Sequence, residues 1–132
     1  MMPVGPDWYA IEMARVREVV AAPLLADMPT APPTLLGVFN LRGEIVPLFD
    51  TAALLGHGSV ATGSHATVVE TALGPAGLVA SAIPESVDLG EPTGTAETPG
   101  TVASYTVGSR LATLIDVDTL LSPARIGGWG NS

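Results

Sequence analysis

The 132-residue chain contains no cysteine. Disulfides, thiolate metal sites and cysteine nucleophiles are therefore excluded. It contains no lysine either. Its five basic residues are Arg15, Arg17, Arg42, Arg110 and Arg125, set against 13 acids for a formal net charge of −8. A chain so poor in cations lacks the basic patch that phosphate contacts require, which argues against nucleic acid and against anionic membrane surfaces as partners. Aromatic residues make up only 5%, so the core must be built from Val, Leu, Ile and Ala. No apolar run approaches the ~20 residues that span a bilayer, so no direct membrane insertion is expected. The opening residues lack the basic-then-apolar order of a signal peptide. A soluble, cytoplasmic protein is the expectation.

What is present is apolar and heavily punctuated. Hydrophobic residues make up 47%, and 15 glycines and 12 prolines are spread along the whole chain. That pattern favours many short strands over a few long helices. Tyr9, Ile11 and Met13 would share one strand face, and residues 16–20 read as a second short strand. A connection with four prolines follows over residues 23–33. Two apolar runs, 37–41 and 45–50, flank Arg42-Gly43-Glu44 and predict a hairpin. Pro47 in the second run cannot donate to a ladder, which places it at an edge or a bulge. Asp50 is placed to cap a helical turn over 51–55 that Gly56 ends. A Gly/Ser-rich linker at 57–64 leads to strands at 66–72 and 78–83. A mobile loop is expected at 88–100, then a second hairpin over 101–116, a closing turn at 118–121 and a flexible tail at 122–132.

A faint internal repeat runs through this order. Residues 11–20 resemble 78–87, with Val16 on Ile83, Glu18 on Glu85 and Val20 on Val87. The hairpin and turn at 38–55 resemble 102–121, with Asp50 on Asp116 and Leu54-Leu55 on Leu120-Leu121. Two such lobes, at 8–56 and 65–121, would each be a small antiparallel barrel. Each is too small to be stable alone, so the pair must share a core.

The stretch from Leu36 to Asp50, Leu-Gly-Val-Phe-Asn-Leu-Arg-Gly-Glu-Ile-Val-Pro-Leu-Phe-Asp, resembles the signature of the CheW family, G-V-x-N-L-R-G-x-I-V-P-x-x-D. Upstream, Tyr9-Ala10-Ile11 with Val16-Arg17-Glu18-Val19 is similar to that family's Y-x-I-x-x-x-x-V-x-E-[IV] segment. The resemblance covers residues 8–121. It implies an all-β fold of two intertwined SH3-like five-stranded barrels. It also implies a scaffold without catalytic activity, coupling chemoreceptors to a CheA-type histidine kinase within receptor arrays. The partners implied are the kinase regulatory domain and the cytoplasmic hairpin tip of a chemoreceptor. The strand that usually precedes the Tyr in the family, of the form F-x-L-G, is expected to be missing, because only seven residues with two prolines precede Trp8. The segment after Asp50 also departs from the family, with Thr51-Ala52 where Leu-Arg is common.

Five residues stand out as a partner-binding set. Arg42, in the family motif, sits where a hairpin tip would present it, and its planar fork suits a carboxylate. Gly43 permits the turn. Asn40 is placed to bond the turn backbone. Glu18 is expected to pair with Arg42, and Val16 is either part of a partner surface or plain core. Asp50 and Asp116 read as helix caps rather than a catalytic pair. His57 and His65 lack a third ligand at fixed distance. No nucleophile elbow, phosphate loop or dinucleotide motif occurs, so no cofactor and no catalysis are expected. Two other readings remain at this level: a small-molecule sensor with a pocket between the lobes, and a diverged family member decoupled from the kinase.

Overall fold

The computed structural model describes residues 1–21, 23–26, 32–56 and 63–122. Most of the 57–64 linker, with His57, therefore lies outside the described residues, as do the tail beyond 122, Arg125 and the middle of the Pro-rich connection. The described chain runs β1 (Met2–Val4), β2 (Asp7–Ala10), a 3-10 turn (Met13–Arg15), β3 (Val16–Ala21), β4 (Leu35–Leu41), β5 (Glu44–Phe49) and α1 (Thr51–Leu54). It continues through β6 (His65–Thr71), β7 (Gly74–Ala80), β8 (Gly94–Thr95), β9 (Thr101–Val107), β10 (Arg110–Ile115) and α2 (Val117–Leu120).

These strands form two five-stranded sheets, β1-β2-β10-β9-β8 and β3-β6-β7-β5-β4. The all-β architecture expected from the sequence is what the structure shows, as two five-stranded sheets. Its connectivity is a reciprocal exchange. The first hairpin, β1-β2, leaves its own half and lies parallel to β10, with Ala112 opposite Trp8 and Leu114 opposite Ala10. The third hairpin, β6-β7, crosses the other way and lies parallel to β5, with Leu48 opposite Gly77 and Phe49 opposite Leu78. The edge of β6 then receives β3.

The expectation of a missing first strand is corrected. Met2–Val4 is that strand, with Met2 and Val4 buried against the core. The prolines that argued against it are both accommodated. Pro3 has no N–H to give, but β1 is an edge strand, where proline is tolerated. Its carbonyl accepts from the Ser81 amide at 2.8 Å. Pro6 belongs to the turn: Val4 faces Asp7, and Gly5 supplies a φ of +60° before proline's fixed negative φ. Pro47, by contrast, is not on the edge strand expected for it. It faces Val38 inside β5, but β5 meets β7 only from Leu48 onward, so at Pro47 one side of the strand is free of a ladder. The 88–100 segment carries β8, which pairs with β9.

One buried cluster joins both sheets: Met2, Val4 and Tyr9 from the first hairpin pack with Phe49, Leu54, Leu78, Ile115 and Leu120. A second, including Phe39, Val46, Val68 and Val79, fills the β3–β7 sheet alone. Both are predominantly aliphatic, as the scarcity of aromatics required. The two helical turns carry the repeat most clearly. The Asp50 carboxylate accepts from the Ala53 amide at 3.2 Å, and the Asp116 carboxylate from the Thr119 amide at 3.4 Å. Each aspartate is therefore a cap.

Candidate functional site

The β4-β5 hairpin turns on two residues, because Leu41 faces Glu44 directly. Both turn residues have positive φ, Arg42 at +51° and Gly43 at +88°. Positive φ at both central positions is the geometry that matches the twist of flanking strands, and Asn-Gly is its favoured sequence. Asn40 supports the turn from two residues before that favoured position: its Oδ1 accepts from the Gly43 amide at 2.8 Å. Asn40 and Gly43 thus fix the hairpin tip, and Arg42 is what the tip displays.

Arg42 is the only non-glycine residue with positive φ among the described residues. A branched or long side chain in this region is strained, and asparagine or glycine would relieve it. Local strain of this kind is retained where the side chain serves a purpose beyond the turn. The guanidinium reaches across to β3, where Nη1 donates to Glu18 Oε2 at 3.1 Å and Nη2 donates to Glu18 Oε1. The expected Glu18–Arg42 pairing is therefore present as a two-pronged contact. The Arg42 side chain remains 66% exposed, and Glu18 28%. Hydrogen bonding to Arg42 holds the Glu18 carboxyl below the usual glutamate range, aided by the charges of Arg42 and Arg17. Glu18 in turn holds Arg42 protonated.

The pair has a structural position as well. β3 and β4 are the two outer strands of their sheet. Among the described residues no backbone ladder joins β3 to β4, and the Arg42–Glu18 contact links the tip of the β4-β5 hairpin to β3. A bulge in β3 makes this possible. Val16 faces Val69 and Glu18 faces Val68, leaving Arg17 as the extra residue. Arg17 points to Glu44 at 2.9 Å and Glu70 at 3.4 Å.

Val16, on the near side of the bulge, is half-buried. It lines an apolar groove of about 220 Å³ with Met2, Ile11, Met13, Val19 and Thr67. A wider recess of about 480 Å³ continues from it, sharing Ile11 and Met13 and reaching Glu12, Asp88 and Tyr105. The groove lies between the first hairpin and β3, where the two sheets meet. Met13 is 67% exposed within it.

Two contacts carried no sequence signal. Arg15 grips Asp118 with Nη1 at 2.9 Å and Nη2 at 2.6 Å, and Nη2 also donates to the Glu70 carbonyl at 2.8 Å. Arg110 lies 4.2 Å from the centre of the Trp8 ring and 3.5 Å from Glu85. Each joins segments far apart in sequence, and nothing in the spacing of charges marks such partners in advance. His65 bonds its neighbour, with its Nδ1 2.7 Å from the Ser64 hydroxyl. Among the described residues no group of three His, Cys, Asp or Glu could hold a metal ion. Among them, too, no helix is long and apolar enough to cross a membrane.

Comparison with known proteins gives these features a family context. The model of the CheW-like domain matches residues 1–125. Chemotaxis protein CheV3 of Helicobacter pylori is 42% identical over 48 residues, which are 36% of this chain and 15% of that protein. Chemotaxis protein CheW of Rhizobium meliloti is 40% identical over 53 residues, 40% of this chain and 34% of that protein. The matched stretches thus span about a third or less of these relatives' lengths. Among solved structures, the scaffolding protein TtCheW from Thermoanaerobacter tengcongensis superimposes with a TM-score of 0.80 at 23% identity, covering 96% of this chain and 91% of that one. At that identity the likeness establishes the shared fold.

Proposed function

Since this chain belongs to the CheW-like domain family, we propose that it is a non-enzymatic chemotaxis scaffold that couples chemoreceptors to a CheA-type histidine kinase. The observation that carries this reading is Arg42. It occupies a strained position at a hairpin tip, is bonded by Glu18 on one side, and is otherwise open to solvent. A surface arginine pre-oriented by a carboxylate loses little rotamer freedom on binding, which is what an interface anchor requires. The partner on this face is the regulatory domain of the kinase. The receptor's cytoplasmic tip is assigned to the apolar groove that Val16 lines. Asn40 and Gly43 serve by holding the tip in shape. The working location is the cytoplasm, at receptor arrays.

Calorimetric titration of the kinase regulatory domain into wild-type protein and Arg42→Ala tests the reading. Binding by the wild type that weakens about tenfold or more in the variant is expected. Equal affinity would remove Arg42 from the interface. No binding by the wild type would overturn the coupling role.

A further inference from the structure

The tip of the β4-β5 hairpin has few ties to the rest of its sheet. β5 joins β7 only at Leu48 and Phe49. From Phe39 to Val46 the described ladder partners of β4 and β5 are each other alone. Phe39, Leu41 and Val46 anchor the inner face in the core, but Arg42 and Gly43 are exposed. Two successive residues of β3 reach this tip by ion pairs. Glu18 takes Arg42, and Arg17 Nη1 lies 2.9 Å from Glu44. In a regular strand successive side chains point to opposite faces, and the bulge at Arg17 is where that alternation is relaxed.

The same Arg17 nitrogen lies 3.4 Å from Glu70. Glu70 is on β6, opposite Pro75 of β7, in a strand with neighbours on both sides. Arg17 therefore ties the hairpin tip to the body of the sheet through one cationic nitrogen. Its charge also bears on Arg42. Glu18, Glu44 and Glu70 are three carboxylates served by two cations, Arg17 and Arg42. Glu44 already acts on Arg42, and Arg17 on Glu18, each helping to hold its neighbour ionised. Without Arg17, Glu44 becomes a rival of Glu18 for Arg42, and the guanidinium is drawn toward its own hairpin instead of across to β3.

Binding sharpens the demand. A partner acid that engages Arg42 must share it with Glu18 or displace Glu18. The Arg42–Glu18 link then weakens at the moment the tip is loaded, whereas the Arg17–Glu44 link does not involve Arg42 and persists. Building on the coupling role above, we propose that Arg17 is a positioning residue for the Arg42 contact: by occupying Glu44 it keeps the hairpin tip fixed to β3 and leaves Arg42 to Glu18 and to the partner. Arg17 meets both of its carboxylates with one nitrogen, whereas Arg42 uses both prongs of its fork. A lysine can therefore stand in for Arg17 but not for Arg42.

Two measurements separate this role from the coupling role. 15N relaxation of the free chain reads the backbone order of Arg42 and Gly43. Calorimetry reads affinity for the kinase regulatory domain. Arg17→Gln should lower the order parameters of both amides and weaken binding about three- to fivefold, the size of one exposed ion pair. Adding Glu44→Gln to it should cause no further loss. Arg17→Lys should restore both readouts, while Arg42→Lys should bind as weakly as Arg42→Ala. Unchanged order at Arg42 and Gly43 in Arg17→Gln, or wild-type affinity in that variant, overturns the positioning role and leaves the coupling role standing. So does an Arg17→Lys chain that behaves like Arg17→Gln. Failure of the wild type to bind overturns the coupling role, and the fall in order would then still assign to Arg17 the fixing of the tip.

Discussion

Arg15 and Asp118 form a two-pronged ion pair, with Nη to Oδ distances of 2.6 and 2.9 Å, between the turn that opens β3 and the first turn of α2. The contact joins the two halves of the chain at a point where no strand ladder does. In sequence Arg15 lies between Met13 and Val16, two residues of the groove wall.

Replacing Arg15 with alanine should lower the melting temperature by a few degrees. Asp118→Ala should cost less, because Arg15 keeps the Glu70 carbonyl as an acceptor. The double variant should be no worse than Arg15→Ala. Thermal melts of the four proteins check this; additive losses would mean that the two residues act separately.

Arg42→Asn creates the Asn-Gly turn that this hairpin geometry favours. Stability equal to or above that of the wild type is expected from denaturant melts, together with weaker binding of the kinase regulatory domain. Loss of stability in this variant would show that the pair with Glu18 matters more to the fold than the backbone strain does.

Glu18 and Asp118 both have carboxyls held below their ordinary range, chiefly by hydrogen bonds from Arg42 and Arg15. A group whose folded pKa is depressed adds stability that is complete above its unfolded pKa, around 4, and is lost as pH falls through the lower folded value. The stability difference between wild type and Glu18→Gln should hold constant from pH 7 to about pH 5 and shrink below about pH 4. Urea melts across that range are the measurement. A gap that widens in acid would contradict the assignment.

Thr51 is fully buried at the start of α1, and its hydroxyl donates to the Val79 carbonyl at 2.7 Å. Thr51→Val keeps the shape and removes the donor. It should destabilise by about 1–3 kcal/mol, the cost of leaving a buried carbonyl unpaired. Chemical denaturation would show it, and a neutral result would mean that another donor takes the site.

Much of this was legible in the sequence because it depends on local chemistry. The hairpin at Arg42-Gly43, the Asn40 bond to its backbone and the two aspartate caps each follow from residues within a few positions of one another. The Glu18–Arg42 contact was legible through the family motif rather than through spacing. The strand at Met2–Val4 was misjudged because two prolines were counted as breakers. Whether a proline breaks a strand depends on whether its missing N–H had a partner waiting. At an edge and in a turn it did not. The grip of Arg15 on Asp118 and the stacking of Arg110 on Trp8 depend on how the halves are folded together, which no local pattern encodes.

The exchange of hairpins has a consequence for the order in which the chain can fold as it is made. The β3–β7 sheet uses residues 16–80 and can assemble once those have emerged. The first hairpin, although synthesised before that sheet, pairs with β10 at residues 112–114. Until that strand appears, β1 and β2 have no sheet to join, and Met2, Val4 and Tyr9 have no complete core to enter. A segment made before the β3–β7 sheet is therefore locked after it. A nascent chain arrested before residue 110 should carry its N-terminal hairpin exposed, while the β3–β7 sheet is already protected from proteolysis.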